Sequence, residues 1–379
     1  MRNISDVIDA VRRRIELRIA ECRDVRLPRP IVVIESDDWG SIRMPSVKVL
    51  DDLKAKGYRY ADYIGYDKYD TLASNDDLEV LLDTLSSVKD SEGNQARLTM
   101  NTVVCNPDFE RIRQSEYQEY HYELFTDTLK RYPNHDRSFS LWKAGIESGV
   151  FHPQFHGREH LNVQMWLRLL RKGCKSVLDS FDKHVISMIV EESDDPRVHA
   201  LAAYNVSSKE DYSFVKQSII DGLDLFEHMF GYRSESMIAP NYTWDTVVED
   251  VAYSCGVKFL QGGRTHRYSQ HVLSNGGRNV IRYTGQRNNN GQVYMVRNCS
   301  FEPSEYAWKN ADLCLSQVKK AFDDGRPAII SSHRQNFIGG LYPYNRDNNI
   351  KEFQLLLKTI IAKYPDVIFL SSDELGKML

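Results

Sequence analysis

The chain has 379 residues, 41% of them hydrophobic and 27% charged, with a formal net charge of −4. That composition supports a large buried core in one α/β unit, and the lack of basic excess excludes a nucleic-acid-binding face. Six widely spaced cysteines (Cys22, Cys105, Cys174, Cys255, Cys299, Cys314) form no Cys-x-x-Cys pair, so reduced thiols are expected. The N-terminus lacks the apolar core of a signal peptide, and no stretch approaches the ~20 apolar residues of a membrane span. A cytoplasmic protein is expected.

Residues 4–22 carry Ile4, Val7, Ile8, Val11, Ile15 and Ile19 at helical spacing, with Arg12, Arg13, Arg14 and Arg18 largely off that stripe. The stripe either packs on the domain or lies on an anionic membrane as a basic amphipathic helix, at the inner membrane face. Residues 1–28 are therefore set apart from one domain spanning 29–379. After them, apolar runs alternate with amphipathic segments. Residues 31–35, 97–104, 149–155, 236–239, 257–261, 327–332 and 367–371 read as strands; 161–170, 213–230, 246–254 and 350–363 read as helices. Alternating strands and helices imply βα units and a parallel sheet. About seven such strands approach a closed, distorted (β/α) barrel of the glycoside hydrolase/deacetylase-like kind. Residues 279–297 differ: two strand-like runs flank a Gln-Arg-Asn-Asn-Asn-Gly turn and read as an inserted hairpin.

Polar and ionisable residues gather where these strands end, the position of catalytic groups in parallel barrels. The first ends in Ser36-Asp37-Asp38-Trp39-Gly40. Adjacent aspartates often cap a helix, but one carboxylate can also bind a cation while its neighbour takes a proton from water. The third strand leads into His152, His156 and His160. Four residues of strand separate His152 from His156 by about 13 Å, too far for metal–nitrogen bonds of about 2 Å. Where the chain turns out of the strand, His156 and His160 share a face at about 5–6 Å between Cβ atoms. His152 is left as a barrel-wall or supporting residue. His333 ends a later strand and is a candidate acid, because its ordinary pKa near 6.5 suits proton transfer. Arg334 and Asn336 follow it as substrate or loop contacts. Trp39, Tyr242, Trp244 and Trp308 are candidates for stacking on a sugar ring.

These motifs, in this order, resemble the polysaccharide deacetylase family (NodB-homology domains, carbohydrate esterase family four). The resemblance rests on Asp37-Asp38, His156-x-x-x-His160, Ala239-Pro240-Asn241-Tyr242, Ser331-Ser332-His333 and the tail 367–375. It implies a distorted barrel with Asp37 as base, Asp38, His156 and His160 as metal ligands, and His333 as acid. Trp39, Pro240, Asn241, Tyr242, Arg264 and Arg334 are expected to border the substrate. The family's third motif opens on an arginine that orients the base. Ser236-Met237-Ile238-Ala239-Pro240 has none, and Arg264 is the residue available to replace it. The expected reaction is removal of an acetyl group, usually N-acetyl, from a sugar or polysaccharide precursor. Two histidines and a carboxylate suit Zn²⁺, with iron, cobalt, nickel or manganese fitting the same set. The rivals are a metal-independent glycoside hydrolase pairing Asp37 with Glu302 or Asp373, and a catalytically silent carbohydrate-binding or assembly protein.

Overall fold

Strand β1 (Ile31–Trp39) is buried along its whole length and organises the computed structural model, which describes residues 4–58, 66–187 and 200–379, the first six of these as backbone only. Eight more strands join it: β2 (Leu98–Val103), β3 (Phe151–Gly157), β4 (Ser236–Met237), β5 (Phe259–Gly262), β6 (Val293–Val296), β7 (Cys299–Ser300), β8 (Ala328–His333) and β9 (Ile368–Leu370). The order across the sheet is β6-β5-β4-β3-β2-β1-β8-β7, with β9 also paired to β1. Every pairing is parallel, and the sheet curls into a half-barrel. Parallel strands covered on both faces need near-continuous apolar runs, which Ile31-Val32-Val33-Ile34 and Ala328-Ile329-Ile330 supply. β8 lies along residues 32–37 of one edge of β1. β9 and β2 share the other edge, β9 on residues 31–33 and β2 from Ile34 onward.

The expected hairpin is present only in part. Arg287 and Val293 form an antiparallel bridge, but Val293–Val296 itself runs parallel to β5 as an edge of the main sheet. Only Arg297 and Asn298 then separate β6 from β7, the opposite edge. Arg297 N donates to Gly262 O of β5, and Asn298 N to Ile329 O of β8. The chain thus crosses the opening of the half-barrel in two residues.

The helices between strands bury their apolar faces on the sheet. Val163–Arg171 starts where Asn162 caps Met165 N. Tyr212–Phe230 ends at Gly231, whose positive φ of +79° closes the last turn. Pro343–Lys363 starts earlier than its apolar pattern, because Pro343 at its first position fixes a helical φ with no donor to satisfy.

The N-terminal helix, Ile4–Arg23, leaves the described part of its apolar stripe exposed. Val11, Ile15 and Ile19 are 54%, 55% and 55% exposed; the side chains of Ile4, Val7 and Ile8 lie outside the described residues. Ala20 and Asp24 are buried instead. Glu21 pairs with Lys320 and Arg326, and Asp24 with Arg264 and Arg326. Ion pairs, rather than Val11, Ile15 or Ile19, seat the C-terminal end of this helix. No described helix is long and apolar enough to cross a membrane.

Gly145, inside the helix Ser138–Glu147, lies flush against β3. A Cβ there would stand 2.1 Å from Phe151 Cδ2 and 2.6 Å from its Cγ, and Phe151 is itself buried. Helix propensity alone favours alanine by about 1 kcal/mol. Overpacking of this kind costs about 1–3 kcal/mol, so Gly145→Ala is expected to lower the urea unfolding midpoint. An unchanged midpoint would mean that Phe151 swings aside.

Candidate active site

The site forms where β1, β3 and β8 end. The register sets Asp37 opposite His333. Just beyond, the pairing of β1 with β2 shifts between Ser36 and Trp39, and Asp38 adopts φ +72°. Neighbouring strand residues ordinarily point to opposite faces. The left-handed turn at Asp38 lets both aspartates line one cavity of about 480 Å³. Positive φ is uncommon outside glycine, with Asp and Asn enriched among the exceptions, and such strain clusters at functional sites.

His156 comes from β3, and His160 follows the turn at Gly157. Their Nε2 atoms stand 3.3 and 3.2 Å from the same oxygen, Asp38 Oδ1. All three residues are buried, and their ligand atoms lie within 4.8 Å of one another. His156 Nδ1–H donates to Ile238 O at 2.9 Å, which turns the Nε2 lone pair toward Asp38. Burial pushes the His160 imidazole toward its neutral form, against the pull of Asp38. Two imidazole nitrogens and a carboxylate oxygen facing one point need a proton or a cation between them. The donor set therefore fits a divalent ion of the zinc type. Arg43 donates to the other oxygen, Asp38 Oδ2, at 2.8 Å, leaving Oδ1 directed at the histidines.

Asp37 has a different environment. Arg297 donates to its Oδ1 at 2.6 Å and its Oδ2 at 2.7 Å, to Glu35 Oε2 at 2.6 Å and to Tyr242 Oη at 2.8 Å. Asn101 Nδ2 donates to Asp37 Oδ1 at 2.8 Å. Burial alone would push the Asp37 carboxyl up, but the Arg297 charge and hydrogen bonds outweigh it and hold the pKa at about 2. Glu35, more deeply placed, is pushed up by burial despite Arg297.

His333 Nδ1 lies 2.6 Å from Glu302 Oε1, and its Nε2 lies 3.7 Å from Asp37 Oδ2. Asn336 Nδ2 donates to Glu302 Oε2 at 2.7 Å and fixes that carboxylate. Burial lowers the imidazole pKa, but Glu302 more than restores it, to about 9. His333 is protonated at neutral pH, with its Nε2–H toward the cavity. Asn241, Tyr242 and Asp67 complete the nearby wall. Burial pushes the Asp67 carboxyl up to about 7.

Several residues expected at the site lie elsewhere. Trp39 is buried, because β1 runs on past Asp38 and turns it into the core against Trp142; its Nε1–H is spent on Ser36 Oγ. Pro240 is buried behind the wall and does not line the cavity. Arg264 is held by Asp24 at 2.6 Å and is paired with neither Asp37 nor Asp38. Arg334 is fully buried, bidentate to Asp70 and bonded to Ser41 O. Trp244 stacks on His266 in the interior. His152 pairs with Asp373 at 2.8 Å, and neither lines the cavity. Conversely, Arg297, Glu302, Arg43 and Asp67 were not anticipated in these roles. Arg297 follows the run Val-Tyr-Met-Val, a strand end hidden while that run is taken as a hairpin arm.

The model of the family described as "Glycosyl hydrolase family 57" matches residues 77–298, more than half of the chain. That span contains His156, His160 and Arg297 but not Asp37, Asp38 or His333. Among curated proteins, none matches. Similar solved structures include the 4-alpha-glucanotransferase from Thermococcus litoralis, at 8% identity and TM-score 0.47, covering 92% of this chain. This chain spans 40% of that enzyme's length. A putative polysaccharide deacetylase from Mycobacterium smegmatis matches at 10% identity and TM-score 0.43, covering 94% of this chain and 92% of its own. A probable polysaccharide deacetylase from Pseudomonas aeruginosa PAO1 matches at 10% identity and TM-score 0.46, covering 92% and 90%. The family match overturns the expected membership of the polysaccharide deacetylases. Five short motifs at strand ends carried that resemblance, whereas the family model matches one long continuous segment. The chain belongs to glycosyl hydrolase family 57.

Proposed function

We propose that this enzyme hydrolyses an acyl group carried by a carbohydrate, with a divalent ion held by Asp38, His156 and His160. The observation that carries this reading is the convergence of two imidazole Nε2 atoms on Asp38 Oδ1 at 3.2–3.3 Å. The ion, when bound, supplies Lewis acidity that polarises a carbonyl and acidifies water. Asp37, held ionised by Arg297, orients that water and accepts its proton. His333 donates the Nε2 proton to the departing nitrogen or oxygen, while Glu302 keeps the ring in place through Nδ1–H. A carboxylate with a pKa of about 2 is a poor place to store a proton, and His333, at about 9, is a good one. Their 3.7 Å approach lets Asp37 pass the proton on and reset both groups.

A second reading is favoured by the family match: cleavage or transfer of a glycosidic bond by two carboxylates without metal. It requires one carboxyl group that remains protonated near neutrality. Of the carboxyls lining the cavity, Asp67, pushed up to about 7, suits the acid, and Glu302 is available as its partner.

The two readings separate on product and on chelation. With acylated sugars, acyl release is expected to disappear on chelation and return with added zinc. Asp38→Ala is expected to lose metal content. Asp37→Asn is expected to retain it while turnover falls about 10²–10⁴-fold. New reducing ends that survive chelation and vanish in Asp67→Asn would establish the glycosidic reading instead.

The pH profile tests the proton donor. The folded pKa of His333 lies above its ordinary value, so the active protonated form is lost as pH rises through about 9. The rate is expected to fall there, and Glu302→Gln is expected to move that limb to lower pH by removing the charge that raises it. A limb unmoved in Glu302→Gln would remove His333 from the role of acid.

Arg297→Ala would leave Glu35 and Asp37 buried without their cation. Breaking a buried pair in this way costs about 3–5 kcal/mol. The unfolding midpoint is expected to drop accordingly, with Arg297→Lys intermediate. A loss under about 1 kcal/mol would show that the carboxylates do not depend on it.

A further inference from the structure

Beside the active-site cavity lies a second one of about 610 Å³ whose lining includes no acidic residue. The two are continuous through Tyr242, Arg267, Ser300 and Ser331, which line both. Their charge differs sharply. The first is lined by five acids, Asp37, Asp38, Asp67, Glu302 and Glu305, against three cations, Arg43, Arg267 and Lys309. The second receives four arginines, Arg13, Arg264, Arg267 and Arg297.

Two of these are already neutralised, Arg264 by Asp24 and Arg297 by Glu35 and Asp37. The other two are exposed and have no acidic partner among the described residues. Arg13 donates to Thr265 Oγ1 at 3.4 Å. The residues come from distant parts of the chain, Arg13 from the N-terminal helix and Arg267 from the loop after Thr265–His266. Glu21 and Asp24 hold the C-terminal end of the helix against the barrel, and that docking brings Arg13 to the cavity. A solvated arginine needs no partner. Two of them, converging from separate elements on an acid-free cavity that opens into a reaction site, match an anion carried by the substrate. A guanidinium recognises phosphate through paired, charge-assisted hydrogen bonds, and Asn279 and Ser300 offer further polar groups.

Resting on the carbohydrate-hydrolase reading above, we infer that this cavity is a phosphate subsite. The substrate is a sugar bearing a phosphate or diphosphate ester, held by Arg13 and Arg267 while the sugar enters the neighbouring cavity. Nucleotide and prenyl carriers share that chemistry.

The test is calorimetric titration of the full metal-loaded chain with glucose 1-phosphate and with glucose. The phosphate ester is expected to bind at least about tenfold more tightly, with a preference that shrinks at high salt. The double variant Arg13→Ala/Arg267→Ala is expected to lose that preference. Both side chains are exposed and outside any ion pair, and circular dichroism checks the fold. Asp38→Ala is expected to keep the preference. Equal binding of the two probes overturns the inference, as does a preference that survives in the double arginine variant or disappears in Asp38→Ala, where phosphate would be sitting on the metal. Displacement by uridine diphosphate or by farnesyl diphosphate supports the subsite and tells the carriers apart; displacement by neither overturns it. The readout is binding, so a failure of acyl release would sink the proposed reaction and leave this result standing.

Discussion

One buried guanidinium holds the centre of this barrel together. Arg297 lies between Glu35 and Asp37, two carboxylates on β1 that are almost inaccessible to water. Burying charges costs several kcal/mol per ion unless the geometry and remaining hydrogen bonds are nearly complete, and here they are. Glu35 Oε1 accepts from Ser372 Oγ. Asp37 accepts from Asn101, whose amide also donates to Gln261. Gln261 donates to Ser236, and Ser236 to Gln154. A continuous polar chain therefore spans β1, β2, β5, β4 and β3 inside the sheet. Such networks favour one arrangement when their members are satisfied, and in this one Asn101 Oδ1 is the atom left without a partner. Arg297 can terminate it because the chain crosses from β6 to β7 at that residue.

The two neighbouring aspartates show how environment divides labour between identical side chains. Asp37 continues the strand and meets Arg297, so its charge is fixed and its lone pairs are largely spent. Asp38 turns out of the strand at φ +72° and offers Oδ1 to two imidazoles. The chemistry suggested for the site follows from that backbone turn more than from the identity of either residue.

Much of this was legible in the sequence. The seven apolar runs read as strands all occur, because parallel strands buried on both faces leave a strong local signal. Spacing singles out His156 and His160, strand ends single out the pair Asp37-Asp38, and the family resemblance picks Asp38 from that pair; the structure brings Asp38, His156 and His160 together. Arg297 was not found. Its strand is four residues long, and the adjacent Asn-rich turn imitates a hairpin. Arg264 took its place in the sequence argument because only tertiary structure reveals that Asp24 already holds it. Trp39 and Arg334 have the chemistry of substrate contacts, but burial decided otherwise. Family membership was misjudged for a related reason: short motifs at strand ends report site chemistry, while the signal that defines the family is spread over 77–298.

The crossing at Arg297 also sets an order for the protein's synthesis. Asp37 leaves the ribosome 260 residues ahead of the arginine that neutralises it. At about 5–20 residues per second, that interval is roughly 13–50 s. During it, Glu35 and Asp37 lack their cation and must stay hydrated, so β1 cannot be sealed into the sheet. β8, which supplies its longest register, arrives later still. A nascent chain that stalls before residue 297 has neither β8 nor β9, the strands that pair with Ile31, Val32 and Val33, and leaves that apolar run without its partners.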